Sequence, residues 1–122
     1  MRIHIVDYGM GNIFSVQKKL LQENAKVSVS SDQQDIIKAD KIILLGVGHF
    51  KRAMDNLGEL NLIEPLHDFA LIQKKPILGI CLGMQLMSNF SEEGDSRGLG
   101  WIDADVKKFK TSDSNKFKIP HM

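Results

Sequence analysis

Pro76-Ile77-Leu78-Gly79-Ile80-Cys81-Leu82-Gly83-Met84-Gln85 decides how this chain is read. An apolar run (Ile77, Leu78, Ile80) leads into the only cysteine, and a helix-permissive run from Leu82 to Asn89 leads out of it. The cysteine stands between two glycines as Gly-x-Cys-x-Gly. A strand, a sharp turn carrying a nucleophile and then a helix make a nucleophile elbow. The glycines have a steric task there, because side chains two residues to either side would collide with the strained turn. The helix after the turn points its N-terminus at the sulfur, where unpaired N–H groups and the positive dipole end favour negative charge. The Leu82 N–H is placed to bind an oxyanion formed when the sulfur attacks a carbonyl. The competing reading of a lone cysteine is a small buried hydrophobe; the flanking residues argue for the nucleophile.

Outward from the elbow, hydrophobic periodicity predicts three more strands, at Ile3 to Val6, Lys26 to Ser30 and Lys41 to Leu45, with Ile77 to Ile80 as the fourth. Helical spacing joins Ile13, Val16, Leu20 and Leu21, and a short helix is expected around Ile36, Ile37 and Ala39. Phe50 to Leu57 and Leu62 to Gln73 read as two further helices, with Pro65 in the first turn of the second, where a missing N–H matters least. Strands alternating with helices argue for βαβ units, a buried parallel sheet and helices on both faces. In such sheets the strand carboxyl ends line the ligand crevice. Asp7-Tyr8-Gly9, Gly46-Val47-Gly48 and Cys81 all stand at such ends, so all three are expected on one side. After Asn89, Ser91 to Gly98 is expected to be an acidic surface loop, Trp101 to Lys110 a strand, Thr111 to Asn115 a hairpin turn and Phe117 to Ile119 the start of another strand.

Composition narrows the function classes. The chain has 122 residues, 43% hydrophobic and 25% charged, which suits one small globular domain. A net charge of +1 gives no electrostatic case for nucleic acid or an acidic membrane. No apolar run approaches the roughly 20 residues that cross a bilayer. One cysteine makes no internal disulfide, and Asp7 comes too early for a signal peptide, so a cytoplasmic location is expected.

Asp7-Tyr8-Gly9-Met10-Gly11-Asn12, Gly46-Val47-Gly48, Gly79-Ile80-Cys81-Leu82-Gly83-Met84-Gln85, Gly98-Leu99-Gly100-Trp101-Ile102 and Pro120-His121-Met122 follow one another in that order. Together they resemble the glutaminase subunits of imidazole glycerol phosphate synthase, which are class I glutamine amidotransferases. The resemblance covers essentially the whole chain. It implies a flavodoxin-like α/β fold, of which residues 1–122 are the N-terminal portion of a single domain whose C-terminal part is missing. It implies hydrolysis of glutamine to glutamate and ammonia, with ammonia delivered to a (βα)8-barrel cyclase for histidine biosynthesis. It calls for no metal and no organic cofactor. By position, Cys81 is the expected nucleophile, and Leu82 is one oxyanion donor with Val47 and Gly48 supplying the second. Gly46, Gly48 and Gln85 are expected to bind substrate, and Tyr8, Gly9, Met10, Gly11 and Asn12 to lie near the partner and the ammonia path.

The chain departs from that family in two ways. Leu45 stands where many relatives have proline, which is expected to leave the oxyanion strand less constrained. The triad histidine and glutamate of the family are expected beyond residue 122. None of His4, His49, His67 and His121 matches the family's base, and each reads as a structural or surface histidine.

Other readings stay open at this level. Gly9-Met10-Gly11 followed by Asp32 suggests a dinucleotide-binding turn, but Phe14 fills its third glycine position. Redox-stress proteins share an elbow cysteine, yet usually follow it with histidine where Leu82 stands. The same glutaminase chemistry also feeds surface-sugar N-amidotransferases, and a chain without its base suits a catalytically silent binding subunit. Open edges and uncovered apolar surface are expected to make the 122 residues alone marginally stable. Those residues alone are also expected to show little glutaminase turnover, since nucleophile and base act as a unit. Glutamate release by them at an ordinary family rate would contradict this.

Overall fold

The computed structural model of the chain describes residues 1–107. Four parallel strands, β1 (Arg2–Val6), β2 (Lys26–Ser30), β3 (Lys41–Gly46) and β4 (Ile77–Cys81), form a sheet in the order β2-β1-β3-β4. This is a doubly wound order, and the chain reverses its direction of travel between β1 and β3. All four predicted strands are therefore present. Ile42 to Leu45 is buried throughout, because β3 is covered on both faces and needs no alternation. Edge strand β2 does alternate, with Val27 and Val29 turned to one face.

That face is covered by α1 (Ile13–Gln22), whose Ile13, Val16 and Leu20 pack on Ile5, Ile43 and Leu45. On the opposite face α2 (Gln33–Lys38), α3 (Phe50–Glu59) and α4 (Ile63–His67) bring Ile36, Phe50, Ala53, Leu57 and Leu66 against Val6, Ile42 and Leu44. Asn12 and Asp32 cap the first two helices through side-chain oxygens that accept from Ser15 N at 3.5 Å and Gln34 N at 2.9 Å.

Four expectations change. The helix predicted from Leu62 to Gln73 is α4 followed by a π-helical turn, Asp68–Ile72, closed by Gln73 N donating to Asp68 O at 2.9 Å. Phe69 lies in the core there, while Leu71 and Ile72 stay outside. The helix expected from Leu82 to Asn89 stops early, as α5 (Leu82–Gln85). Its continuation is taken by a returning segment: Leu99 N donates to Leu86 O at 2.6 Å, Trp101 N and Ile102 N both to Met87 O at 2.9 Å, and Gly100 N to Ser88 O at 2.9 Å.

The acidic loop expected from Ser91 to Gly98 keeps a turn over residues 92–95, but that turn joins two short strands. β5 (Phe90–Ser91) pairs antiparallel with β6 (Ser96–Arg97), and Ser91 is buried. The strand expected from Trp101 to Lys110 shrinks, among the described residues, to β7 (Asp105–Val106), which runs parallel to β5. Trp101 leaves the extended pattern: its backbone N donates to Met87 O, and its indole N–H donates to His67 Nδ1 at 2.8 Å, giving a half-buried indole its acceptor. Thr111 to Asn115, Phe117 to Ile119 and Pro120-His121-Met122 lie outside the described residues.

His4 sits on β1 with no exposed surface. Its Nδ1 lies 2.8 Å from Ser28 Oγ on β2, and among the described residues its Nε2 has no partner. Burial holds its pKa below the ordinary 6.5, against the opposing pull of Asp35, of hydrogen bonds to Ser28 and Ser30, and of Asp32. The unfolded chain therefore takes up this proton first on acidification, so the His4 contribution to stability is present above the ordinary value and is lost as pH falls below it. The urea midpoint should drop between pH 7.5 and pH 5.5. His4→Leu should shrink that drop, and an unchanged drop would contradict the assignment.

Candidate active site

β4 ends at Cys81, where the backbone takes φ 54° and ψ −121° before α5 begins at Leu82. Few non-glycine residues adopt positive φ, and such a turn stores roughly 1–3 kcal/mol. It lifts Cys81 out of the strand, and the residue is exposed. The flanking glycines are required, though not by Cys81 itself as the sequence reading held. A Cβ on Gly79 would stand 2.7 Å from Met84 Cα, and one on Gly83 only 1.8 Å from the Leu44 carbonyl oxygen. The first turn of α5 thus lies directly on β3, closer than any side chain allows.

The first N–H groups of a helix have no intrahelical acceptor. With α5 only four residues long, electrostatic support near the sulfur comes from these N–H groups rather than from an extended dipole. Leu82, the first residue of α5, is buried. The arrangement places an exposed thiol beside the N–H groups that open α5.

The three strand-end loops meet as expected. Gly46 pairs in register with Cys81, so the Gly46-Val47-Gly48 loop leaves β3 beside the cysteine. Val47 is 58% exposed, and Gly48 has φ 119°. The β1 loop closes on this segment from the other side. A Cβ on Gly11 would be 3.2 Å from Gly46 N, and one on Gly48 3.1 Å from Met10 Cε. Tyr8 and Met10 are buried, whereas Gly9, Gly11 and Asn12 are exposed. Gln85 ends α5, half-buried.

Leu45, which stands where the family resemblance calls for proline, lies on β3 just before Gly46. It is buried, it pairs with Ile80 in register, and its carbonyl accepts a hydrogen bond from the Tyr8 hydroxyl. Glu93 was read as part of a solvated loop. Its Oε1 in fact lies 3.3 Å from Phe50 N at the start of α3, just past the Gly46-Val47-Gly48 loop, and 3.9 Å from His49 Nε2. The 43 residues that separate Glu93 from Phe50 left no local signal for this contact.

Among the described residues the histidines have other neighbours: His4 with Ser28, His49 near Glu93, and His67 with Trp101. Among the described residues no group of three or more His, Cys, Asp or Glu side chains is arranged to hold a metal ion, and no helix is long and apolar enough to cross a membrane.

A family profile described as glutamine amidotransferase class-I matches residues 4–119. An imidazole glycerol phosphate synthase subunit HisH 2 from Methanococcus maripaludis is 50% identical over 120 residues, covering 98% of this chain and 58% of that protein. A protein of the same name from Pseudomonas aeruginosa is 43% identical over 120 residues, covering 98% of this chain and 58% of its own length. This chain therefore spans less than two thirds of those relatives. Among solved structures, a Listeria monocytogenes EGD-e protein assigned by name to peptidase E shares the fold. It has a TM-score of 0.65 at 15% identity, over 84% of this chain and 63% of that one.

Gly83→Ala tests the packing of the elbow. Alanine gains about 1 kcal/mol of helix propensity over glycine. Overpacking typically costs about 1–3 kcal/mol, and a 1.8 Å approach to backbone puts this site at or beyond the upper end. A net loss of about 2 kcal/mol or more in urea unfolding is expected; an unchanged midpoint would contradict the close approach.

Proposed function

The chain belongs to the class-I glutamine amidotransferase family, and we propose that the protein hydrolyses glutamine to glutamate and ammonia through a thioester on Cys81. The observation that carries this reading is the positive-φ turn at Cys81, with Gly46 beside it in register. The Cys81 sulfur gives up its proton and attacks the carboxamide carbon of glutamine, forming a C–S bond. The carbonyl oxygen becomes an oxyanion, which the Leu82 N–H and an N–H of the Val47–Gly48 segment receive. Collapse breaks the C–N bond, and the nitrogen leaves as ammonia with the proton taken from the thiol. Water then attacks the thioester through a second oxyanion at the same donors, and glutamate departs as the thiol is restored.

A base must carry that proton, and we assign it to none of His4, His49 and His67, given their partners. Gly46, Gly48 and Gln85 line the substrate side of this arrangement in our reading.

We further infer that the ammonia goes to a synthase partner, a (βα)8-barrel cyclase that makes imidazole glycerol phosphate for histidine biosynthesis, in the cytoplasm. The names borne by the relatives support that choice over a surface-sugar amidotransferase. The Tyr8-Gly9-Met10-Gly11-Asn12 loop is the segment we assign to the partner and the ammonia path, because it closes on Gly46 and Gly48.

The test is glutamine hydrolysis by the native protein with its synthase partner. Cys81→Ser should lower glutamate release by about 10³-fold or more, as loss of a triad nucleophile does. Turnover within about tenfold of the parent would contradict the mechanism.

A further inference from the structure

Tyr8 touches the base of the proposed oxyanion loop, and its side chain takes no part in the hydrolysis steps above. It is 1% exposed, and its hydroxyl donates to the Leu45 carbonyl. Burial pushes the phenol's pKa up, so the hydroxyl keeps its proton and remains a donor. Its position on the sheet explains why the bond matters. Pairing of β1 with β3 ends at Ile5↔Ile43, while pairing of β3 with β4 runs on to Gly46↔Cys81. The last residues of β3 have lost the β1 ladder, and the phenol supplies a hydrogen bond there.

The Leu45 carbonyl and the Gly46 N–H belong to one rigid peptide plane. Holding the carbonyl sets the direction in which the chain leaves β3 toward Val47 and Gly48. Gly46 is also confined between the phenol and the elbow. A Cβ built on it would meet Tyr8 Oη at 2.5 Å, Leu82 Cβ at 2.9 Å and Gly83 N at 3.1 Å. Tyr8 is itself anchored, since Asn56 Nδ2 on α3 donates to its carbonyl at 3.0 Å.

We propose that Tyr8 is a positioning residue for glutamine hydrolysis: through the Leu45 carbonyl it holds the Gly46–Gly48 loop where its N–H meets the oxyanion on the Cys81 adduct. The proposal rests on the amidotransferase reading of Cys81. Tyr8 has no contact with substrate in it and acts only through the loop. Loss of the hydroxyl should therefore slow the chemical step far more than it weakens glutamine binding.

The experiment is steady-state glutamine hydrolysis by the native protein with its synthase partner, comparing Tyr8→Phe, which removes one oxygen and keeps the ring, with Cys81→Ser. For Tyr8→Phe we expect kcat to fall about tenfold with KM for glutamine within about twofold. Amide hydrogen exchange at Val47 and Gly48 should quicken in the same variant. A lowered thermal midpoint with unchanged kcat would mark a packing role only and overturn the proposal, as would a loss confined to KM or unchanged exchange at the loop. If Cys81→Ser keeps its turnover, the amidotransferase reading itself fails. If it is inactive while Tyr8→Phe matches the parent, the failure belongs to Tyr8 alone. Should Tyr8→Phe not fold, Asn56→Ser, which only frees the Tyr8 carbonyl, carries the same expected loss of kcat in the same direction, and a parental kcat there overturns the proposal.

Discussion

The turn at Cys81 sets φ to 54° in a residue that is not glycine, and the surrounding structure answers to that constraint. The strained geometry costs roughly 1–3 kcal/mol. A single fully buried Leu or Ile side chain contributes about 1.5–3 kcal/mol, so a few core residues of β3 offset it. β3 supplies them: Ile42, Leu44 and Leu45 are nearly free of solvent. The same strand sets the limits of the turn, because the Leu44 carbonyl lies where a Gly83 side chain would be and Gly46 stands in register with Cys81. One strand thus holds the elbow from behind and delivers the Gly46-Val47-Gly48 loop beside it.

Chemistry follows from that shared dependence. An oxyanion needs two donors fixed before the reaction, since donors that must reorganise give little rate. In the proposed mechanism one donor begins α5 and the other follows β3, and the two elements approach where Gly46 and Gly83 carry no Cβ. Leu45, Tyr8 and Asn56 then link the loop to β1 and α3 by hydrogen bonds. Leu45, at the position where the family resemblance calls for proline, accepts a hydrogen bond from the buried Tyr8 hydroxyl.

The parts of the fold that local pattern encodes were legible in the sequence. The four apolar runs became β1 to β4, and Gly79 and Gly83 marked the elbow because each has a backbone neighbour too close for a Cβ. What was not legible depends on distant partners. The run after Cys81 has helical character, yet its carbonyls at Leu86, Met87 and Ser88 are claimed by residues 99–102, so the helix ends at Gln85. Ser91 and Glu93 read as solvated polar residues; one is buried in strand pairing and the other reaches the start of α3. His67 read as a helix-flank residue, and only Trp101 from 34 positions away reveals it as an acceptor. Among the site residues, the elbow was readable because its chemistry is written in consecutive positions, whereas the support from Tyr8 crosses 37 positions and left no pattern.

Cys81, as proposed, is an activated nucleophile for a glutamine side chain. Treatment of the native protein with the glutamine-analogue electrophile 6-diazo-5-oxo-L-norleucine, followed by peptide mass mapping, addresses it most directly. One covalent adduct is expected, on the peptide that carries Cys81, suppressed by excess glutamine. An unmodified Cys81, or labelling that glutamine does not suppress, would contradict it.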